Sequence, residues 1–325
     1  MSLYLGIDTS NYTTSLALCD DDGNITAQIK RLLTVKDGER GLRQSDAVFA
    51  HTVNLPELTE ELFTAAGIKG SDISAVGASA YPRDIEGSYM PCFLTGLGMA
   101  RSLCAFSGLD LYRFSHQSGH IAAAVYSCGD DELWDGGFHA FHISGGTTEI
   151  LHVSQGGIKT LGGTLDLNAG QAIDRVGVAL GISFPCGPAL EHEALSWLSD
   201  SKNTDCAGNM NPKICVNGFD CNLSGLENQA LAMISAGKPA GEIAYYTLLF
   251  IAKTLERLTE NVLADKPTKC VLYAGGVMAN SIIKQRLSRR FNARFAEPVY
   301  STDNAAGISL LCRRTCLGLP IWMKN

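Results

Sequence analysis

No stretch of this sequence holds the roughly 20 consecutive apolar residues that a membrane-spanning helix needs, so no membrane role is expected. The opening Met1-Ser2-Leu3-Tyr4-Leu5-Gly6-Ile7-Asp8 has no basic region ahead of an apolar one. It is expected to begin a strand rather than a secretory leader, and a cytoplasmic location follows as an expectation. Positive charge is scarce: 26 Lys and Arg stand against 33 Asp and Glu, a net of −7. A protein that grips nucleic acid unaided usually shows a basic patch. Here the basic clusters are Lys284 to Arg294 and Arg313–Arg314, both read as solvated helix faces. If RNA is a substrate, a partner protein is expected to supply much of the phosphate affinity. The eleven cysteines contain no C-x-x-C pair, which removes the usual short zinc and redox signatures. Most are expected to be reduced and buried as small hydrophobes. Cys206, Cys215 and Cys221 share a polar stretch, but their spacing fits no zinc knuckle. Solenoid-period repeats and low-complexity linkers are also missing.

What is present suits a soluble globular chain. The 325 residues are 46 % hydrophobic and 18 % charged, enough for one large or two ordinary domains. Residues 3–8 and 14–19 read as strands joined by the polar turn Thr9-Ser10-Asn11-Tyr12-Thr13, and Asp22-Gly23-Asn24 turns the chain into a third strand. A helix is expected over about 41–66, ended by Gly67. A buried strand over 72–80, a helix over 90–106 and a strand over 109–114 lead into a histidine-bearing helix. Then the opening pattern returns. A strand at 138–143, the loop Ser144-Gly145-Gly146-Thr147-Thr148 and a strand at 149–153 predict a second, duplicated unit. Helices are expected at 170–180, 244–263, 279–289 and 305–317, with strands at 269–274 and 291–296. Phe184-Pro185-Cys186-Gly187-Pro188 reads as a rigid turn and about 200–222 as a surface insertion.

Several of these segments could carry chemistry. The glycines and hydroxyls of the loop after Ile143 can turn donors toward phosphate oxygens, although a tight hairpin asks for the same residues. Gly275-Gly276, between a strand and a helix, allows close backbone approach and places a helix N-terminus beside an anion, or else serves helix–strand packing. Asn280 is placed to read a ribose or base edge. Asp174 either accepts hydrogen bonds from ribose hydroxyls or sits on a solvated helix face. His116 and His120 are four apart, hence on one helix face, and can share a metal ion. The residue after His116 is Gln117, where a zinc protease has its Glu base. Gly119 weakens the helix by about 1 kcal/mol relative to Ala, so close approach of backbone or ligand is expected there. Asp303, in Ser301-Thr302-Asp303-Asn304, is the best distant carboxylate. Surface histidines at a helix N-terminus are the plainer alternative.

Taken in order, the segments resemble the tRNA threonylcarbamoyladenosine synthase transferase family, once described as O-sialoglycoprotein endopeptidase. G-I-D-T-S is similar to the family's G-I-E-T-S, and A-H-T-V-N-L-P-E-L to its H-x-x-x-L-x-P stretch. H-Q-S-G-H-I-A-A matches H-x-E-G-H-x-A-A, and H-I-S-G-G-T-T-E matches V-S-G-G-H-T-Q. T-L-D-L-N-A-G-Q-A-I-D matches T-L-D-D-A-A-G-E-A-F-D, and F-P-C-G-P-A-L-E matches Y-P-G-G-P-x-L-E. L-S-G-L, A-G-G-V-M-A-N and T-D-N-A-A have counterparts too. The resemblance implies an α/β fold of the actin/Hsp70/hexokinase type, with two duplicated lobes around a nucleotide cleft. The lobes are expected at 1–115 plus about 303–325, and at 116–302. It implies that His116, His120 and Asp303 hold one divalent metal, iron or zinc. It implies that His142, Ile143, Ser144, Gly145, Gly146, Asp174, Gly187, Gly275, Gly276 and Asn280 hold an adenine nucleotide, such as ATP, AMP or threonylcarbamoyl-adenylate. Asp8 is a candidate for a catalytic role. The implied reaction is transfer from threonylcarbamoyl-adenylate to adenosine 37 of tRNA, with the tRNA reached through partner subunits and a protein partner of the same fold family.

The sequence also departs from the family. After G-I-D-T-S it has Asn11-Tyr12-Thr13-Thr14 in place of C-D-E-T. A glycine-rich loop is replaced by Tyr81-Pro82-Arg83-Asp84-Ile85-Glu86-Gly87-Ser88-Tyr89. Leu167, Gln171 and Glu227 stand where the family has Asp, Glu and Lys. These changes suggest a divergent paralogue. Besides tRNA threonylcarbamoyl transfer, two readings stay open: an acyl-adenylate transferase or hydrolase with another acceptor, and a non-catalytic nucleotide-binding regulator of a true synthase.

Overall fold

The computed structural model describes residues 2–10, 12–34 and 42–322. Asn11 of the first turn and Gly41 of the first expected helix lie outside them. The chain opens with strands β1 (Leu3–Ser10), β2 (Thr13–Asp20) and β3 (Ile25–Leu32), then helix α1 (Gln44–Ala66), β4 (Ile73–Tyr81), α2 (Phe93–Ser107), β5 (Asp110–Ser115) and α3 (His116–Cys128). A second round follows: β6 (Phe138–Ile143), β7 (Thr148–Ser154), β8 (Gly157–Gly163), α4 (Ala169–Ala179), α5 (Gly187–Ser199), α6 (Ser201–Asn209), β9 (Cys215–Asn217), β10 (Asp220–Asn222), α7 (Gly225–Ser235), α8 (Ala240–Asp265), β11 (Val271–Ala274), α9 (Ser281–Ser288) and β12 (Ala293–Phe295). Helix α10 (Ala306–Cys316) closes the described chain.

Two compact units result. The first takes Met1–Gly136, Ser154–Ile158 and Val299–Asn325, and the second Gly137–Val153 and Lys159–Pro298. The expected boundary after residue 115 differs from this division, because α3 packs within the first unit. The duplication inferred from the two hairpins is visible in the strand orders. The first sheet runs β3-β2-β1-β4-β5 and the second β8-β7-β6-β11-β12. In each, the first strand is antiparallel to the second and parallel to the fourth.

In the first unit β1 and β2 are buried along their whole length, whereas β3 alternates, as a strand at the sheet's edge does. Side chains alternate across a strand. Leu3, Leu5 and Ile7 join a core with Leu55, Leu58 and Leu62 of α1 and Ala100 of α2. Gly6 faces the other way. A Cβ there would lie 2.5 Å from the Ala305 carbonyl and from the Ser309 amide. Its register partner Gly77 is as tight, with Cys312 Cβ 2.8 Å from where a Cβ would be. This bare patch lets α10 lie directly on the sheet. It also sets the direction of Asp8, two residues after Gly6 on the same face.

The second unit is built around Phe141, Ile143, Ile251, Leu255 and Tyr273, all buried. Several of its elements had no counterpart in the expectations. Pro188 near the start of α5 reads equally well as part of a turn, but proline also suits a first helical turn. Residues 200–222, expected as an insertion, contain α6, capped by the Asp200 side chain on Lys202 N–H at 3.0 Å, and the β9–β10 hairpin. Cys221 is buried in that hairpin while Cys206 and Cys215 are exposed. The helix expected at 279–289 is a short tight turn over Gly276–Ala279 followed by α9.

Candidate functional site

The histidine helix starts where its sequence says a helix should. Ser115 is the N-cap, its hydroxyl accepting from Ser118 N–H at 3.0 Å. The Asp84 carboxylate accepts from the hydroxyls of Ser115 at 2.7 Å and Ser118 at 2.6 Å. The Pro82 carbonyl accepts from Gln117 N–H at 3.1 Å. Thus the segment that replaces the family's glycine-rich loop fastens the N-terminus of α3. A carboxylate at that end is also favoured by the helix dipole.

Gly119 lies between the two histidines and faces α10. A Cβ on Gly119 would sit 2.9 Å from Ile308 Cδ1, and one on Gly307 would run into the Gly119 carbonyl. The glycine expected to mark a close approach therefore marks a helix–helix crossing. That crossing brings the loop ahead of α10 to the histidines. Asn304 shapes this loop: its amide donates to Tyr300 O at 3.2 Å and Thr302 O at 2.6 Å, and its oxygen accepts from Ala306 N–H at 3.0 Å.

The three predicted ligands converge, all within the first unit. His116 Nε2 lies 2.9 Å from His120 Nε2. Asp303 Oδ1 lies 3.6 Å from His116 Nε2 and 3.3 Å from His120 Nε2. Two ligand atoms each about 2.1 Å from an ion, at 90–110° to one another, would be roughly 3.0–3.4 Å apart. The set fits one divalent ion on one face, and two imidazoles with one carboxylate suit iron or zinc. Among the described residues it is the one such group of three or more.

The electrostatics agree. Burial pulls the His116 imidazole down, but the carboxylates of Asp8 and Asp303 outweigh it and raise its pKa to about 10. Burial pushes Asp303 up, yet hydrogen bonds from His116 and His120 hold it well below the usual carboxylate range. The cluster is thus arranged to stabilise a positive charge, proton or metal. Asp8 belongs to it through the far side of His116. The ring's Nδ1 lies 3.2 Å from both Asp8 oxygens, and the Ser79 hydroxyl donates to Asp8 Oδ1.

The predicted nucleotide residues all lie in the second unit and divide into two groups. Gly145, Asp174, Gly187, Gly276 and Asn280 line one cavity of about 350 Å³. Asp174 is half-buried rather than on a solvated face, and its Oδ1 accepts from Cys186 N–H at 2.8 Å, which holds the 184–188 turn against α4. Asn280 caps α9, its Oδ1 accepting from Ile283 N–H at 3.1 Å. The other group lies outside the lining. Ile143 is core, and Gly275, at φ +101°, lets β11 pass against the Ile143 backbone. His142 is half-buried in β6, opposite Glu149 and Ala274. The Ser144 hydroxyl accepts from Gly146 N–H at 3.3 Å and Thr147 N–H at 3.0 Å, so it serves the hairpin turn.

Phe184, Pro185, Glu191 and Leu248 also form the cavity wall, and none was among the residues expected there. The aromatic Phe184 before Pro185 was visible, but only as turn chemistry. Two larger cavities, of about 560 and 540 Å³, lie along α8 and α9. Their shared charged side chains are already paired, Arg286 with Glu256 at 2.7 Å and Arg290 with Glu260 at 2.5 Å.

The repeated sheet and its strand order define a protein of the actin/Hsp70/hexokinase-type α/β fold. The solved structures agree. The (R)-2-hydroxyglutaryl-CoA dehydratase component A of Acidaminococcus fermentans superposes with a TM-score of 0.55 at 14 % identity, covering 98 % of this chain and 100 % of that one. HypF of T. kodakarensis superposes with 0.55 at 13 % identity, covering 99 % of this chain and 48 % of that one. The family is narrower. The model of the TsaD family, tRNA N6-adenosine threonylcarbamoyltransferase, matches residues 29–310. The tRNA N6-adenosine threonylcarbamoyltransferase of Granulibacter bethesdensis is 31 % identical over 94 % of this chain and 86 % of its own length. This chain belongs to the tRNA N6-adenosine threonylcarbamoyltransferase family.

Proposed function

We propose that this chain transfers the threonylcarbamoyl group of threonylcarbamoyl-adenylate to the exocyclic amine of adenosine 37 in tRNA. The observation that carries the reading is the convergence of His116, His120 and Asp303 in a chain whose family is shown. A divalent ion held by these three residues, iron or zinc, would supply Lewis-acid stabilisation of the negative charge that develops on oxygen during acyl transfer. The adenylate would occupy the 350 Å³ cavity. Asp174 would accept from ribose hydroxyls, the amide of Asn280 would donate to the ligand, and the Phe184 ring would cover an adenine face. The amine nitrogen bonds to the carbamoyl carbon, the bond from that carbon to the phosphate oxygen breaks, and AMP leaves. The amine loses one proton to solvent. No activated water is needed, in keeping with Gln117 where a zinc protease has its base.

With a net charge of −7 the chain is expected to reach tRNA with a protein partner, which we place in the same fold family. The substituted loop at 81–89 and the changed residues Tyr12, Thr13, Leu167, Gln171 and Glu227 favour one second reading, an acceptor other than tRNA. The test is to incubate the purified chain with threonylcarbamoyl-adenylate, a divalent metal, a partner subunit and tRNA. Modified adenosine together with AMP is the expected result. AMP release that does not depend on tRNA supports the second reading. Nucleotide binding with no AMP release contradicts both and leaves a regulatory binder.

A further inference from the structure

We propose that Asp8 is a positioning residue for the metal centre: it fixes the tautomer and ring orientation of His116, and Ser79 fixes Asp8 in turn. The inference rests on the metal reading above. It concerns a residue outside the ligand set and gives it a different task from a catalytic one. A neutral imidazole has one nitrogen with a proton and one with a lone pair. A carboxylate can only accept, so the nitrogen facing Asp8, His116 Nδ1, carries the proton. The lone pair is left on Nε2, the atom that faces His120 and Asp303. A ligand histidine that donates its other N–H to a carboxylate is a recurrent device for setting ring direction and raising ligand basicity.

The placement of Asp8 argues for this role over plain packing. It is fully buried on β1 between Ile7 and Thr9, with Ser15 as its register partner on β2. A buried carboxylate is unfavourable unless it has a partner that needs its charge. The partners here are two. The Ser79 hydroxyl of β4 donates to Oδ1, and His116 Nδ1 faces both oxygens at 3.2 Å. The fold supplies the aim. Gly6 and Gly77 admit α10 onto one face of the sheet, Asp8 points to that same face, and α3 crosses α10 at Gly119 and Gly307 with His116 at its start. Asp8 itself stays off the ligand face, because Nδ1 and Nε2 lie on different sides of the ring.

The test uses the full chain, with Zn²⁺ affinity measured by competition with a chromophoric chelator and Co²⁺ bound for its visible spectrum. Asp8→Ala is expected to bind Zn²⁺ about 10–100-fold more weakly, the loss seen when such an outer partner is removed, with an altered Co²⁺ spectrum. Asp8→Asn is expected to lose less, since an amide oxygen still accepts from Nδ1–H. Ser79→Ala should fall between Asp8→Asn and the parent chain. Far-UV circular dichroism and the thermal midpoint establish folding, and Asp8→Asn carries the comparison if Asp8→Ala does not fold. A folded Asp8 variant with Zn²⁺ affinity within about twofold of the parent and an unchanged Co²⁺ spectrum overturns the proposal and leaves the metal centre standing. If the parent binds neither ion, or binds both equally well as His116→Ala, the metal reading falls and this proposal with it.

Discussion

The side chain of Phe184 is exposed at 74 %, yet it lines the cavity that Asp174 and Asn280 share. Such a ring is an available stacking surface, and stacking against a base contributes about 1–3 kcal/mol. Phe184→Ala should therefore raise the AMP dissociation constant at least about fivefold, measured by calorimetry, with the thermal midpoint nearly unchanged. Equal affinity would place the adenine elsewhere. Residues that depart from the family pattern have local tasks in this chain. Leu167 packs against the second unit's core, Gln171 accepts from Asn168 N–H at 3.2 Å in a capping box, and Glu227 pairs with Arg175 at 2.9 Å. The acid that remains, Asp166, accepts from Leu223 N–H at 2.7 Å and from the Ser224 hydroxyl at 2.5 Å. Burial raises it, but these donors hold it below the usual carboxylate range. Asp166→Ala leaves those donors without their acceptor and should destabilise the chain by about 1–2 kcal/mol, read as a lower urea midpoint with an unchanged slope.

At the scale of elements, the centre depends on the crossing of α3 and α10. Gly307→Ala puts a methyl against the Gly119 carbonyl, which is backbone and cannot swing away. The expected cost is about 1–3 kcal/mol, only partly offset by alanine's better helix propensity, and metal affinity should fall with it. Gly119→Ala meets only the end of Ile308 and should be milder. If Gly307→Ala keeps both the parent's stability and its metal affinity, the crossing does not hold the site. The crossing also marks what the sequence made legible. The i, i+4 histidines and the glycine between them were readable, because a helix has one period and one face. That Gly119 meets Gly307, and that Asp8 stands behind His116, was not. Those contacts join positions nearly 190 and 108 residues apart, and no local pattern reports which strand face a distant helix will cover. The same limit explains the nucleotide residues. Glycines at 145, 187 and 276 reach the cavity, but Gly275 and Ile143 serve packing, which identical local chemistry could not separate. Helices α5 and α6 are not legible in the sequence, because Pro188 and the polar stretch after Asp200 resemble turn chemistry until caps and partners are known.

Across the whole molecule, buried histidines set opposing pH trends. His51, His139 and His152 are held below the usual histidine value by burial. Below pH about 6.5 the unfolded chain takes up protons that these folded sites refuse, so stability falls as pH falls. His116 has the opposite sign. Raised to about 10 in the metal-free chain, it stabilises fully below pH about 6.5 and loses that contribution as pH rises toward 10. Between pH about 6.5 and 5.5 most of the His116 contribution is already in place, so the three buried neutral histidines set the trend. The thermal midpoint of chelator-treated protein should drop in that window, and less steeply in His139→Gln. A midpoint that climbs there would contradict the buried-neutral assignment. Whether His116, His120 and Asp303 together hold one divalent ion is read from elemental analysis of the full chain after loading with Fe²⁺ or Zn²⁺ and removal of excess. About one ion per chain is the expected result, lost in His116→Ala and in Asp303→Ala while both variants stay folded. Equal metal content in the parent and both variants, or no retained metal in the parent, would contradict it.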